Sequence, residues 1–143
     1  MNIEQRVEKA LDFHHQGYNC AQSVACAFAD LLKDHAEAVF KMTEGFGFGV
    51  GDTKSVCGAV SGAVCVLGML NSDGPGGKTK GATYKLVREL KNDFTERNTT
   101  TVCSELKGVE TGNVIRTCDG CIEDAVRATA MVIENSIDKT VNL

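Results

Sequence analysis

Seven cysteines stand at positions 20, 26, 57, 65, 103, 118 and 121 of the 143-residue chain. A thiolate serves as nucleophile, as soft metal ligand or as one half of a dithiol–disulfide couple, so where these residues fall decides which chemistry is open. Cys118-Asp119-Gly120-Cys121 is a CxxC, a spacing that suits a redox dithiol, two ligands of one metal, or half of a zinc site. A c-type haem needs histidine directly after the second cysteine, and Ile122 stands there. The chain has no second CxxC and no histidine pair at finger spacing, which argues against a standard zinc finger.

Placement strengthens the signal. Cys20 follows Asn19, Cys57 follows Ser55, Cys103 follows Thr101 and Cys121 follows Asp119, each within the first turn of an expected helix. Unpaired N–H groups and the positive dipole end at a helix start favour thiolate over thiol, so these cysteines are expected to have lowered pKa values and to converge on one pocket. Cys20, Cys57, Cys118 and Cys121 are the expected redox residues, and the same four with Cys103 are the expected metal ligands. Cys26, among Ala25, Ala27 and Phe28, and Cys65, among Val64, Val66 and Leu67, sit mid-helix and read as small apolar filler.

The elements that must position these thiols are helices. Ile3, Val7, Ala10, Leu11 and His14 recur at helical spacing over residues 2–16, with a stop at Gly17. Asn19 then caps a helix carrying Cys20, Val24, Phe28 and Leu31 to about Lys33. A short helix over about residues 36–42 leads into Gly45-Phe46-Gly47-Phe48-Gly49-Val50-Gly51, where every second residue is glycine and a loop of unusual backbone geometry is expected. Residues 56–70 are apolar apart from Ser61 and three glycines, the pattern of a central helix hidden on nearly all sides. Gly58 and Gly62 allow another backbone or a bound group to approach it closely. After the turn-rich stretch 71–77, Tyr84, Val87, Leu90 and Phe94 give a helix ending near Arg97. A threonine-rich break, a helical turn over Cys103 to Lys107 and a last helix from about Asp119 to Asp138 complete the chain. Strand alternation and repeats are lacking, so the fold expected is all-α, one compact domain of five or six helices.

Taken together, Gly17-Tyr18-Asn19-Cys20-Ala21-Gln22-Ser23, the glycine-rich loop 45–51, Cys57-Gly58-Ala59-Val60-Ser61-Gly62 and Cys118-x-x-Cys121-Ile122 resemble the bacterial and archaeal family named C_GCAxxG_C_C. The resemblance spans roughly residues 5–130 and implies a small redox or electron-transfer protein with a cysteine site. The positions that match are Cys20, Cys57, Cys103, Cys118 and Cys121. In one departure, Val56-Cys57-Gly58-Ala59 stands where the family name has Gly-Cys-Ala.

Composition narrows the alternatives. Hydrophobic residues make up 43% of the chain and charged ones 24%, the make-up of a globular protein, and a domain of this length has room for one sizeable core. Fifteen basic against nineteen acidic residues leave a net charge of -4, so no basic field is present to hold nucleic acid or an anionic membrane. The 15-residue apolar stretch is short of the roughly 20 residues that span a bilayer. Met1 to Glu8 is charged and amphipathic rather than a signal-peptide run, so a reducing cytoplasm is expected, where cysteines serve metals or redox chemistry more than structural bridges. An odd number of cysteines leaves at least one unpaired.

Lys54-Ser55 after the glycine loop invites a phosphate-loop reading, but Thr53 stands where that motif needs glycine, and no GxGxxG spacing is present. The glycines, Gly47, Gly49 and Gly58 above all, are instead expected to bring backbone close to the thiol pocket and any cofactor in it, with Phe46 and Phe48 covering it from water. His14 or His15 offers a metal ligand or a proton acceptor near Cys20, against ordinary placement of histidine at a helix end. His35 and Glu44 read as exposed. The expected function is electron transfer or thiol–disulfide exchange, through an iron–sulfur cluster or through the cysteines alone, with a redox partner protein or small molecule and with a homo-oligomer compatible. The competing class is a helical protein holding structural zinc. No Ser/His/Asp order in a strand–turn–helix context supports a hydrolase.

Overall fold

The computed structural model describes residues 1–137, and among these the architecture is all-α, with no strand and seven α-helices. The five-residue segment at Cys103–Lys107 brings the number above the five or six expected. No helix is long and apolar enough to cross a membrane among the described residues. Helix α1 (Ile3–His15) begins where the Asn2 side chain accepts from the Gln5 N–H at 3.0 Å and ends before Gly17, whose φ of 106° reverses the chain.

Helix α2 (Cys20–Cys26) has a capping box, Asn19 and Gln22 each accepting from the other's backbone N–H. It stops well before the expected end at Lys33. Arg6 of α1 accounts for this: its guanidinium donates to the Ala27 carbonyl at 2.8 Å, lies 4.8 Å from the Phe28 ring centroid and grips both oxygens of Asp30. With the Ala27 carbonyl engaged from outside, the chain continues through two 3₁₀ turns, Ala29–Leu31 and Lys33–His35, and Lys33 takes a positive φ of 55°. Helix α3 (Ala36–Thr43) follows and lies close to its expected place.

Helix α4 (Gly58–Asn71) packs against α2 and α3, and against α5 (Lys80–Asn98) and α7 (Cys118–Val132). Its Ala59, Val60, Ala63, Val66 and Leu67 are buried with Phe28, Leu90, Phe94, Ile122 and Val126, each large side chain contributing about 1.5–3 kcal/mol relative to exposure. The helix is not hidden on nearly all sides, since Ser61, Val64, Cys65 and Gly68 are only partly covered and Met69 is exposed. A Cβ on Gly62 would overlap the Ala21 carbonyl, so α2 and α4 meet backbone to backbone, the close packing that glycine permits. Helix α6 is the short Cys103–Lys107 segment. Helix α7 runs on into a π-helical turn at Ile133–Ile137, and Asp138, its expected end, lies outside the described residues.

Candidate functional site

Two segments distant in sequence are pinned side by side before α4 and α6 begin. Cys57 N–H donates to the Thr101 carbonyl at 2.7 Å, Cys103 N–H to Ser55 at 2.9 Å and Ser104 N–H to Thr53 at 2.7 Å, while Val56 and Val102 form an isolated antiparallel bridge. These bonds set Cys57, the N-cap residue of α4, beside Cys103, the first residue of α6. The start of α2 supplies Cys20, and the start of α7 supplies Cys118 and Cys121. There the Thr117 side chain accepts from the Gly120 N–H at 3.0 Å.

The glycine-rich loop closes over this meeting point in a left-handed turn. Phe48, Gly49 and Val50 have φ values of 59°, 60° and 61°, Gly51 has 88° and Thr53 67°. Left-handed backbone at a residue with a Cβ costs on the order of 1–2 kcal/mol, so the strain falls on Phe48, Val50 and Thr53 as well as being relieved at glycines. A Cβ on Gly49 would sit 2.6 Å from Cys103 Cβ, one on Gly47 would lie 2.5 Å from Asn19 Cγ, and one on Gly58 would overlap the Cys20 sulfur. All three glycines therefore pack on residues that line the cavity, and none of the three lines it. Phe48 does line it and remains more than half exposed, whereas Phe46, expected to share that cover, does not.

The cavity is about 230 Å³ and is walled by Cys20, Cys57, Cys103, Cys118 and Cys121, with Phe48 and Leu106 as its apolar sides and Lys107 and Arg116 as its cations. Cys26 and Cys65 lie elsewhere, and all seven cysteines are free thiols. The neighbouring Cys121 thiol, the Ala59 and Val60 N–H groups and the charge of Lys107 outweigh burial and lower the Cys57 thiol to about 7. Cys57 in turn raises the Cys121 thiol, and burial raises it further.

The expectation that every helix start lowers its cysteine is corrected here. Dehydration dominates at Cys20 and raises it despite N–H donors from Phe48 and Ala21, and burial next to Cys57 pushes Cys103 up to about 11. Helices α2 and α6 have seven and five residues, too short for much dipole to offset the loss of water.

Lys107 and Arg116 are the site residues that the sequence reading missed. Lys107 Nζ donates to Cys118 Sγ at 3.5 Å and lies 5.6 Å from the Phe48 ring centroid. Its position four residues after Cys103 on one helix was the available signal. Arg116 is held by Asp124, with Nε and Nη2 donating at 3.1 and 3.3 Å, and Asn98 donates to the same carboxylate. A Cβ on Gly120 would overlap the Arg116 side chain, which explains the glycine inside the CxxC. His14 also lines the cavity, with Nδ1 at 2.7 Å from Asp119 Oδ1, and His15 Nε2 lies 2.9 Å from Asp119 Oδ2. His35 and Glu44 are exposed.

Compared with known proteins, residues 18–132 match the model of a family described as "Putative redox-active protein (C_GCAxxG_C_C)". No curated protein and no solved structure matches the chain.

Proposed function

Because the chain belongs to the C_GCAxxG_C_C family of redox-active proteins, we propose that its five clustered cysteines carry out two-electron thiol–disulfide exchange, with Cys57 as attacking thiolate and Cys121 as its resolving partner. The observation that carries this reading is geometric: five free thiols wall one cavity beside Lys107, with Cys57 at the N-cap of α4 and Cys121 in the first turn of α7. One sulfur is held as the anion near neutral pH, and its neighbour keeps a proton until needed.

The step balances without any further reactant than an oxidised disulfide partner. Cys57 thiolate attacks one partner sulfur, forming a mixed disulfide and releasing the other sulfur as thiolate. The released thiolate takes the Cys121 proton, and the Cys121 sulfur attacks Cys57 to form the Cys57–Cys121 disulfide and free the second partner sulfur as thiolate. Two electrons pass to the partner, which leaves as one thiol and one thiolate. Lys107, which donates to Cys118, and Arg116 stabilise negative charge on sulfur as it moves among these groups. The partner is a small disulfide compound, or a protein segment, that reaches the cavity past Phe48.

A second reading is supported by the number of sulfurs around one cavity. Five thiols suit an iron–sulfur cluster, for which four thiolates are the usual donor set, and a cluster held by four of them would supply one-electron transfer. A single zinc ion fits less well. Tetrahedral bonds of about 2.3 Å put sulfurs about 4 Å apart, and among the described residues no three cysteine sulfurs lie within 4.8 Å of one another.

The test is equilibration of anaerobically purified protein in glutathione redox buffers, with thiols counted by mass spectrometry and iron and inorganic sulfide assayed on the same sample. A reversible two-thiol loss at Cys57 and Cys121, in protein free of iron and sulfide, is the result expected. Stoichiometric iron and sulfide would establish the cluster reading instead.

A further inference from the structure

A second set of donors, all nitrogen and oxygen, is assembled where the end of α1 meets the start of α7. His14 Nδ1 and His15 Nε2 each approach a different oxygen of Asp119, at 2.7 and 2.9 Å, and one donor atom from each of the three residues lies within 4.8 Å of the other two. We propose that His14, His15 and Asp119 form a binding site for a divalent first-row transition metal ion, of the class that imidazole and carboxylate bind together.

Consecutive residues of a helix diverge by about 100°, so neighbouring histidines ordinarily face different ways. Here they converge because His14 uses its near ring nitrogen and His15 its far one, both at the last turn of α1. Metal bonds of about 2.0–2.2 Å place adjacent nitrogen and oxygen donors roughly 3 Å apart, close to the separations already present. The carbonyl end of α1 favours a cation and the N–H start of α7 opposes one, so the Asp119 carboxylate in that first turn supplies the net attraction.

His14 Nε2 has no hydrogen-bond partner among the described residues, and Thr117 and Gly120 fix the backbone on either side of Asp119. Three protein ligands leave coordination positions open, as in catalytic rather than structural sites. His14 also lines the thiol cavity, so an ion here would stand at its edge and add positive charge beside the sulfurs. The three donors include none of the five thiols, so the inference does not rest on the exchange chemistry of Cys57 and Cys121.

Cobalt(II) is the probe, titrated into reduced full-length protein without oxygen. One equivalent is expected to give weak visible d–d bands without sulfur-to-metal charge transfer. His15→Gln, at an exposed side chain, is expected to lower the affinity at least about tenfold. His14→Gln is expected to do the same, and circular dichroism would verify that each variant is folded. Thiolate charge transfer at the first equivalent would overturn the site. So would an unchanged affinity in folded His15→Gln or His14→Gln protein, or a wild-type dissociation constant weaker than about 1 mM. Cobalt binding is read by these bands and Cys57 reactivity by alkylation of metal-free wild-type protein, so failure of either proposal is seen separately from the other.

Discussion

Burial raises both Cys57 and Cys121, but at Cys57 the Cys121 thiol, two N–H groups and Lys107 outweigh it, whereas at Cys121 the neighbouring Cys57 adds to it. A group whose pKa is lowered exists as its anion at lower pH, so Cys57 gains thiolate as the pH rises through about 7, while Cys121 stays protonated. Cys121→Ala removes the largest stabilising contact and is expected to move the pH midpoint of Cys57 alkylation toward the ordinary thiol value near 8.5, slowing the reaction at pH 7 by about tenfold. Lys107→Gln is expected to act in the same direction with a smaller effect, since its charge ranks behind the hydrogen bonds at Cys57. Both are read by rate against pH in rapid alkylation of the full-length protein. An unmoved midpoint in Cys121→Ala would show that the pair does not set Cys57 reactivity.

At the scale of elements, the site depends on helix starts pinned by backbone bonds and packed closely at Gly47, Gly49 and Gly58, where a Cβ would collide. Gly58→Ala drives a Cβ into the Cys20 sulfur and close to the Phe46 carbonyl, and is expected to cost about 1–3 kcal/mol and displace Cys20. Gly68→Ala, ten residues along the same helix and facing open space, is expected to gain up to about 1 kcal/mol from helix propensity alone. Thermal or denaturant unfolding of the two variants checks the contrast, and equal effects would contradict it. The caps and periodicities that define α1, α3, α4 and the starts of α2 and α7 were legible because they are local: Asn19, Gly17, and the spacing of Val7 and Ala10. The early end of α2 was not, because Arg6, 21 residues away, takes the Ala27 carbonyl. The same holds at the site. The placement of five cysteines near helix starts could be read along the chain, but the rise at Cys20 and Cys103 comes from burial, which depends on how the helices pack. Arg116 and Lys107 were missed because their partners, Asp124 and Cys118, lie eight and eleven residues on.

Across the whole molecule, α1 is fastened to the rest by the buried Val7 and Ala10 and, around them, by carboxylate pairs. Glu4 pairs with Arg127, Asp30 with Arg6, and Asp119 with His15 and His14, and each partner lowers the carboxyl pKa. A lowered folded-state pKa gives stability that is present above the unfolded value near 4 and is lost as the pH falls through the lower folded value. These pairs are largely exposed and each worth little, so acidification below about 4 is expected to loosen α1 modestly, seen as earlier loss of amide protection over Ile3–His15 than over α4, α5 and α7 in hydrogen exchange. That loosening reaches one wall of the thiol cavity, because His14 belongs to α1.

The most direct measurement is pH-resolved isotopic alkylation of all seven cysteines in reduced protein, followed peptide by peptide with mass spectrometry. Cys57 is expected to react first, with a midpoint at about 7, ahead of Cys20 and Cys103 in the same cavity and of Cys26 and Cys65 outside it. Cys57 titrating no earlier than Cys26 and Cys65 would contradict the claim that this cavity holds a thiolate built for exchange.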